Sequence, residues 1–568
     1  MSGLVGALAL AAIGRAPAIA EAKRPNIVVI QTDDQTSAML HSRYVDRRGR
    51  RHVTMPRTLS LIGDRGVEFT NYYSSVPVCS PSRSTLLSGQ YAHTSGLVRN
   101  VGILGGARGI ERSDVYEENL ATSLQAAGYH TAHFGRFVNG YGSETGIDDP
   151  TVPPGWDTWA TDWTPGPVRR YYGYRLNVNG RILGPFGKAH YRAWKNKDSR
   201  RCPSLGLRCN YHADQIVTRA VRDIRRAPSG PIYVQIDHQA PHSAPDGEAH
   251  TEPARRHIGS AVRTPLPRPP GFNERDTSDK PRVLRRGAKP LEKSQIKRMK
   301  IRWRRELEAL RAVDEGVGRI VRTLRQTGRL RNTYIIFVSD NGAFLGEHRY
   351  NRSKFLAYEP STRVPLMITG PGVKRGTTSP AIVGNVDLAP TIADLAKADL
   401  QLPPDGRSMK PLLRHPRRVG HRSVILESYR LPSPSLNAHL EGEGIKVPEG
   451  RDAGISAQVP AVNYSAIRAG HYKYVKYAGG GRELYDLSAD PHELANRIHW
   501  PGYARVARFF AKQLDRRQFC KGRECRKGVR NIPEPKLRRH RRPDKAERHP
   551  GKAQRHPGKD GGATPGRN

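Results

Sequence analysis

Four short apolar runs, mostly β-branched, punctuate the chain, and at least three stop abruptly at polar residues. Asn26–Ile30 is followed by Gln31-Thr32-Asp33-Asp34, and Pro231–Ile236 by Asp237-His238. Tyr334–Val338 is followed by Ser339-Asp340-Asn341-Gly342, and the fourth run is Val364–Ile368. Runs of this length and composition predict buried strands. Between them lie segments with helical spacing, at about Asn119–Ala127, Ala213–Arg226 and Ile301–Thr327. Buried strands alternating with helices predict an α/β domain, a large mostly parallel sheet between helices. Ligands of such sheets collect at the carboxyl ends of the strands. Three of the four runs place Asp, Asn or His at that edge.

The pattern changes from about Arg407. Ser423–Leu426, Ser465–Arg468 and Tyr472–Lys476 predict short strands, Glu483–Leu487 follows them, and Tyr503–Leu514 predicts a helix. This reads as a smaller α+β domain over residues 406–525, after a larger domain over 23–405. From Arg526 apolar periodicity is lost. Three imperfect heptapeptides, beginning at Arg541, Arg548 and Arg555, mark residues 526–568 as a disordered basic tail too poor in apolar groups to order itself. The basic stretch Arg282–Arg305 reads as a solvated loop running into the long helix, in preference to a polyanion contact. At the other end, Gly3–Gly14 is apolar and Ala18-Ile19-Ala20 is an A-x-A cleavage pattern. Residues 1–20 therefore read as a signal peptide, which predicts a secreted, periplasmic or cell-surface protein. No run is long and apolar enough for a membrane span.

Charge and cysteine usage narrow the chemistry. The formal net charge is +43 over 568 residues. Such a field draws in polyanions: sulfated or acidic polymers, nucleic acid and acidic surfaces. The tail and the basic stretch supply much of the excess, so a polyanion contact by the tail is one expectation. Of five cysteines, Cys202 and Cys209 lie close together, as do Cys520 and Cys525. In an exported chain each pair suits a local disulfide. Cys79 is left over.

Cys79 opens the segment Cys79-Ser80-Pro81-Ser82-Arg83-Ser84-Thr85-Leu86-Leu87-Ser88-Gly89. Pro81 suits a helix's first turn and Gly89 its stop. Cys79 then sits at a helix N-terminus, where free N–H groups and the dipole favour negative charge. Arg83, one turn on, can reach the same point. The string C-x-P-S-R followed by S-T-L-L-S-G-Q-Y resembles the signature of the type I sulfatases. Further similar segments follow in order: 24–34, 127–136, 153–157, 240–244, 339–348 and 483–487. The resemblance spans roughly residues 24 to 525. Segments 177–180 and 272–281, with the late Cys520–Cys525 pair, look most like the branch of N-acetylglucosamine-6-sulfatases and extracellular heparan sulfatases.

The resemblance implies an alkaline-phosphatase-like fold and hydrolysis of sulfate esters, of sugars first and of aryl sulfates as artificial substrates. It implies that Cys79 is oxidised to formylglycine by a formylglycine-generating enzyme, and that the hydrated aldehyde attacks sulfur. Asp33, Asp34, Asp340 and Asn341, with position 79, match the family's ligands for one divalent cation. Their hard oxygens suit Ca²⁺ or Mg²⁺. Arg83 matches the residue that binds the formylglycine, Lys354 the lysine on the sulfate, and His242 the histidine at the leaving oxygen, a natural general acid. Glu347 and His348 are read as supporting groups around the cation.

Two positions depart from the family. Arg136 stands where most relatives have Lys, and Val138 where many have the His that helps eliminate sulfate, which leaves that base unassigned. Two other functions fit the same residues: a phosphoester hydrolase of the same fold, and an inactive relative that binds acidic polysaccharide. Ser294–Lys297 and Ser339–Asn341 mimic two β-lactamase strings, but Lys-Thr-Gly is lacking. Trp156, Trp159 and Trp163 suit either sugar stacking or core packing.

Overall fold

All four apolar runs are strands, and the two cores that they bury explain why they are apolar throughout. The computed structural model describes residues 24–143, 147–163, 171–187, 210–243, 251–351, 354–430, 434–442 and 460–536. The signal peptide, the Cys202–Cys209 pair and the heptapeptides from Arg541 lie outside the described residues.

The strands are β1 (Asn26–Asp33), β2 (Arg43–Val45), β3 (Arg51–Val53), β4 (Gly66–Tyr73), β5 (His130–Gly135), β6 (Thr158–Trp163), β7 (Tyr174–Val178) and β8 (Arg181–Phe186). They continue with β9 (Ile232–Pro241), β10 (Thr333–Ser339), β11 (Leu366–Thr369), β12 (Thr377–Gly384), β13 (Ser423–Tyr429), β14 (Asn463–Ala469), β15 (Tyr472–Tyr477) and β16 (Arg482–Asp486). Ten of them form one sheet in the order β12-β4-β11-β10-β1-β9-β5-β6-β7-β8. Its centre, from β10 through β1, β9 and β5 to β6, is parallel. The fourth run, β11, is antiparallel to β10.

Alternation along each central strand sends side chains to opposite faces. Val28, Ile30, Val234, Ile236, Ile335 and Phe337 pack under the helices His212–Arg226 and Lys293–Gln326. Ile27, Val29, Tyr233, Ile336 and Val338 pack against Leu86, Leu120, Leu124, Ile392 and Leu395 on the other face. Each buried Val or Ile contributes about 1.5–3 kcal/mol, so both faces hold the sheet in place. Trp156, Trp159 and Trp163 belong to the second core, and the Trp159 indole donates to the Tyr141 hydroxyl at 2.9 Å. They are packing residues, which decides against the sugar-stacking alternative.

The long helix begins at Lys293, eight residues before the expected start at Ile301, so much of the stretch expected to be a solvated loop is helical. A short helix, Arg282–Arg285, precedes it.

β13 to β16 form a separate four-stranded antiparallel sheet. One face, through Val424, Leu426, Tyr464 and Val475, packs on Tyr73 and Ile382 of the large sheet. The other, through Ile425, Ile467 and Leu484, is covered by the helix Ala504–Asp515. Cys520 and Cys525 form a disulfide beside that helix. Beyond it, Val529 is buried and donates its N–H to the His421 carbonyl.

Candidate active site

Strand register brings distant polar residues onto one line. Thr32 pairs with Ser339, Gln31 with Asp237, and Asp237 with Gly135. The next residues, Asp33-Asp34, Asp340-Asn341 and Arg136, are therefore neighbours at the carboxyl edge of the sheet. Asp34 turns the chain there with φ of 66°, a left-handed conformation that Asp tolerates better than most residues.

The helix Cys79–Ser88 points its N-terminus at this edge. Val78 is its cap, and Gly89, with φ of 71°, ends it as the sequence predicts. Cys79, the free cysteine among the described residues, is fully buried. Its Sγ lies 3.5 Å from Asp33 Oδ1 and 3.0 Å from Lys354 Nζ. One turn on, Arg83 Nε donates to Asp340 Oδ2 at 3.0 Å and Nη1 to the Arg136 carbonyl at 2.7 Å. Arg83 Nη1 also meets Asp237 Oδ2 at 3.3 Å, and Nη2 approaches Asp33 Oδ2 at 3.6 Å. Burial opposes the Arg83 charge, but Asp340 and Asp237 outweigh it and hold the guanidinium above its ordinary pKa.

The remaining residues close the cluster. Arg136 pairs with Asp33 and donates to Asn139 Oδ1 at 2.6 Å. Lys354 pairs with Asp34. His242 Nε2 stands 3.5 Å from Asp34 Oδ2, while its Nδ1 is 2.7 Å from the Ser243 carbonyl. The nine residues expected to ligate the cation or act in catalysis thus converge. Asp33, Asp34, Cys79 and His242 each place one ligand-capable atom within 4.8 Å of the others.

A hard cation fits these residues. Asn341 Nδ2 is 2.5 Å from Asp34 Oδ1, while its buried Oδ1 has no hydrogen-bond partner. Turning the amide over would set two oxygens face to face, which a cation between them makes favourable. Four carboxylates, of Asp33, Asp34, Asp237 and Asp340, face three fixed cations, those of Arg83, Arg136 and Lys354. A divalent cation makes this balance positive, which suits an anionic substrate.

Asp237 stands just after an apolar run, and no motif around it marks a role. The structure makes it a buttress of Arg83: its Oδ2 also accepts from Gln235 Nε2 at 2.9 Å and lies 3.2 Å from His133 Nε2. Asn139 was missed as well, since nothing in its local sequence marks it. Glu347 and His348, read as supporting groups around the cation, act through the loop that follows Asn341. His348 pairs with Glu274 at 2.6 Å and stacks on Tyr358, and Glu347 accepts from the Leu345 N–H. Both tie down the loop after Asn341.

Comparisons with known proteins point to one family. The sequence profile of the Sulfatase family matches residues 25–398. An extracellular sulfatase homolog from Drosophila melanogaster is 31% identical over 69% of this chain, and the match spans 32% of that longer protein. Human N-acetylglucosamine-6-sulfatase is 28% identical over 84% of this chain and 81% of its own length. A solved structure in complex with its substrate, D-glucosamine-2-N,6-O-disulfate, matches with a TM-score of 0.65 over 87% of this chain and 97% of that one, at 23% identity. That likeness concerns the fold, which is the expected alkaline-phosphatase-like one. Profile and relatives together establish that the chain belongs to the sulfatase family, the sulfuric ester hydrolases.

Proposed function

We propose that this protein is an exported enzyme that hydrolyses sulfate esters of sugars, with Cys79 oxidised to formylglycine as the nucleophile. The observation that supports it best is the seating of Cys79 Sγ between Asp33 and Lys354, at a helix N-terminus and beside Arg83. The hydrated aldehyde at position 79 supplies a hydroxyl for attack on sulfur; an unmodified thiol does not. A Ca²⁺ or Mg²⁺ ion held by Asp33, Asp34, Asp340 and Asn341 supplies Lewis-acid charge for a sulfate oxygen.

The chain's own groups do the rest. Arg83, Arg136 and Lys354 bring fixed positive charge to the bound sulfate group and hold it in place for attack. Lys354 also reaches position 79 and so aligns nucleophile with substrate. His242 donates Nδ1–H to the Ser243 carbonyl, which turns Nε2 toward Asp34 and the cluster. In its protonated form that Nε2 delivers a proton to the departing sugar oxygen. Val138 is apolar and buried, so it supplies no base for the release of sulfate.

The family branch favours a sulfated glucosamine. Two measurements test the proposal. Mass spectrometry of the peptide spanning Cys79, from protein made aerobically in its native host, should show the aldehyde. The same protein should release sulfate from an aryl sulfate and from 6-O-sulfated N-acetylglucosamine. An intact thiol, or an oxidised enzyme that releases no sulfate from any sulfated sugar, would refute it.

A further inference from the structure

The long helix Lys293–Gln326 immediately precedes β10 and runs antiparallel to it, so its N-terminus lies at the pole where β10 delivers Asp340 and Asn341. At 1.5 Å per residue its 34 residues span about 51 Å. The seven residues of β10 span only about 23 Å. Its first turns therefore extend past the end of β10, with Met299, Arg302 and Trp303 buried against the rest of the fold.

That overhang is basic. From Lys293 to Arg305 the sequence has Lys and Arg but no Asp or Glu, and the first turn has no acidic residue. Cations at the positive end of a helix dipole disfavour the helix, by roughly 0.3–1 kcal/mol each. The Glu292 carboxylate at the N-cap offsets part of that cost, and Lys293, Lys297, Arg298 and Lys300 are all exposed. The preceding short helix adds Arg282, Arg285 and Arg286. These three, with Lys289, Lys293 and Lys297, are exposed, and none pairs with an acidic group among the described residues.

Four contacts fasten this surface to the loop that carries the catalytic residues. Arg302 donates to the Phe344 carbonyl at 3.2 Å and to Asn351 Oδ1 at 3.4 Å. Arg349 donates to the Ala288 carbonyl at 3.2 Å, and Tyr350 to the Leu284 carbonyl at 2.9 Å. That loop continues from Asn341, so the basic surface forms a rim beside the catalytic cluster. We infer that this rim, from Arg282 to Arg298, holds the flanking anionic residues of a sulfated polysaccharide while one of its esters occupies the pocket. The inference rests on the reading that the pocket takes sulfate esters, and it names the substrate as polymeric. A single sulfated sugar needs only the pocket; unpaired cations along the rim gain counterion-release energy only from an extended polyanion.

The test uses the full chain and two triple variants, R285Q/R286Q/K289Q and K293Q/K297Q/R298Q. On a heparin-type polysaccharide, kcat/KM should fall at least about tenfold in each variant and the salt dependence should flatten, while turnover of a small aryl sulfate stays within about twofold. An unchanged rate on the polymer, or a parallel loss on both substrates, overturns the inference. Binding to the same polysaccharide, measured in a Cys79→Ala background, should also weaken about tenfold with either triple variant. If the parent binds the polymer through this rim but hydrolyses no sulfate ester, the proposed activity fails and the rim survives. Equal affinity for duplex DNA of matched charge would mark the rim as a general polyanion surface and overturn its assignment to a sulfated glycan.

Discussion

Arg136 brings a planar guanidinium to Asp33 and Asn139, where a lysine would bring one point charge. Arg136→Lys keeps the charge but loses the second contact, so kcat/KM for an aryl sulfate should drop about tenfold; Arg136→Ala should cost about a hundredfold or more, the scale of losing one preorganised donor to developing charge. Equal rates in the parent and Arg136→Ala would remove Arg136 from the machinery. Cys79→Ala should leave no turnover above background while the fold persists, because the side chain fills little space and the helix cap is Val78. At this scale the sequence was legible where a residue sits in a motif. Cys79, Arg83 and the Asp pairs announce themselves by their neighbours. Asp237 and Asn139 do not, because their roles depend on Arg83 and Arg136 arriving from other elements.

Gly135 shows how an element aims a residue. It ends β5 with φ of 101°, and a Cβ there would meet the Asp237 carbonyl oxygen at 2.1 Å. Gly135→Ala must push β5 from β9 and shift both Arg136 and Asp237. It should therefore abolish activity and also lower stability by about 1 kcal/mol or more, seen as a lower midpoint in urea. A variant of parental stability and full activity would show that the strand edge tolerates the shift. The start of the long helix carries the opposite lesson. Its first turns are so rich in Lys and Arg that they read as a loop, although Ile296, Met299 and Trp303 already recur at helical spacing. Burial of Met299, Arg302 and Trp303 against the rest of the fold extends the helix to Lys293.

The two sheets are locked together by buried charge. Lys473 on β15 reaches Glu359 and Glu493, each at 2.8 Å, and burial opposes its charge while the two carboxylates outweigh it and raise its pKa. Lys473→Met would leave Glu493 without its cation and Glu359 with only Arg363, and should cost about 3–5 kcal/mol in unfolding free energy. A loss below 1 kcal/mol, or about that, would mean that water reaches the pair. A second link joins His93 to Glu427 of β13. The ring's Nδ1 lies 2.7 Å from the Glu427 carboxylate and its Nε2 2.8 Å from the Cys520 carbonyl, two acceptors that favour the doubly protonated ring. Burial lowers the His93 pKa, but Glu427 outweighs it and the net direction is up. A raised folded pKa gives stability that is full below the unfolded value of about 6.5 and is lost as pH rises through the folded one. The melting-temperature gap between the parent and His93→Gln should accordingly be widest in acid and narrow toward alkaline pH; a gap that widens with pH would reverse the assignment. By itself the sequence determined the alternation of strands and helices, the edge at which polar residues gather and the helix-start cysteine, because periodicity, caps and short motifs are local properties of the chain. Only the tertiary structure decided which strands are neighbours, that Asp237 braces Arg83, that the tryptophans are core and that a basic helix start meets the loop after Asn341, because strand register and long-range packing join residues hundreds of positions apart.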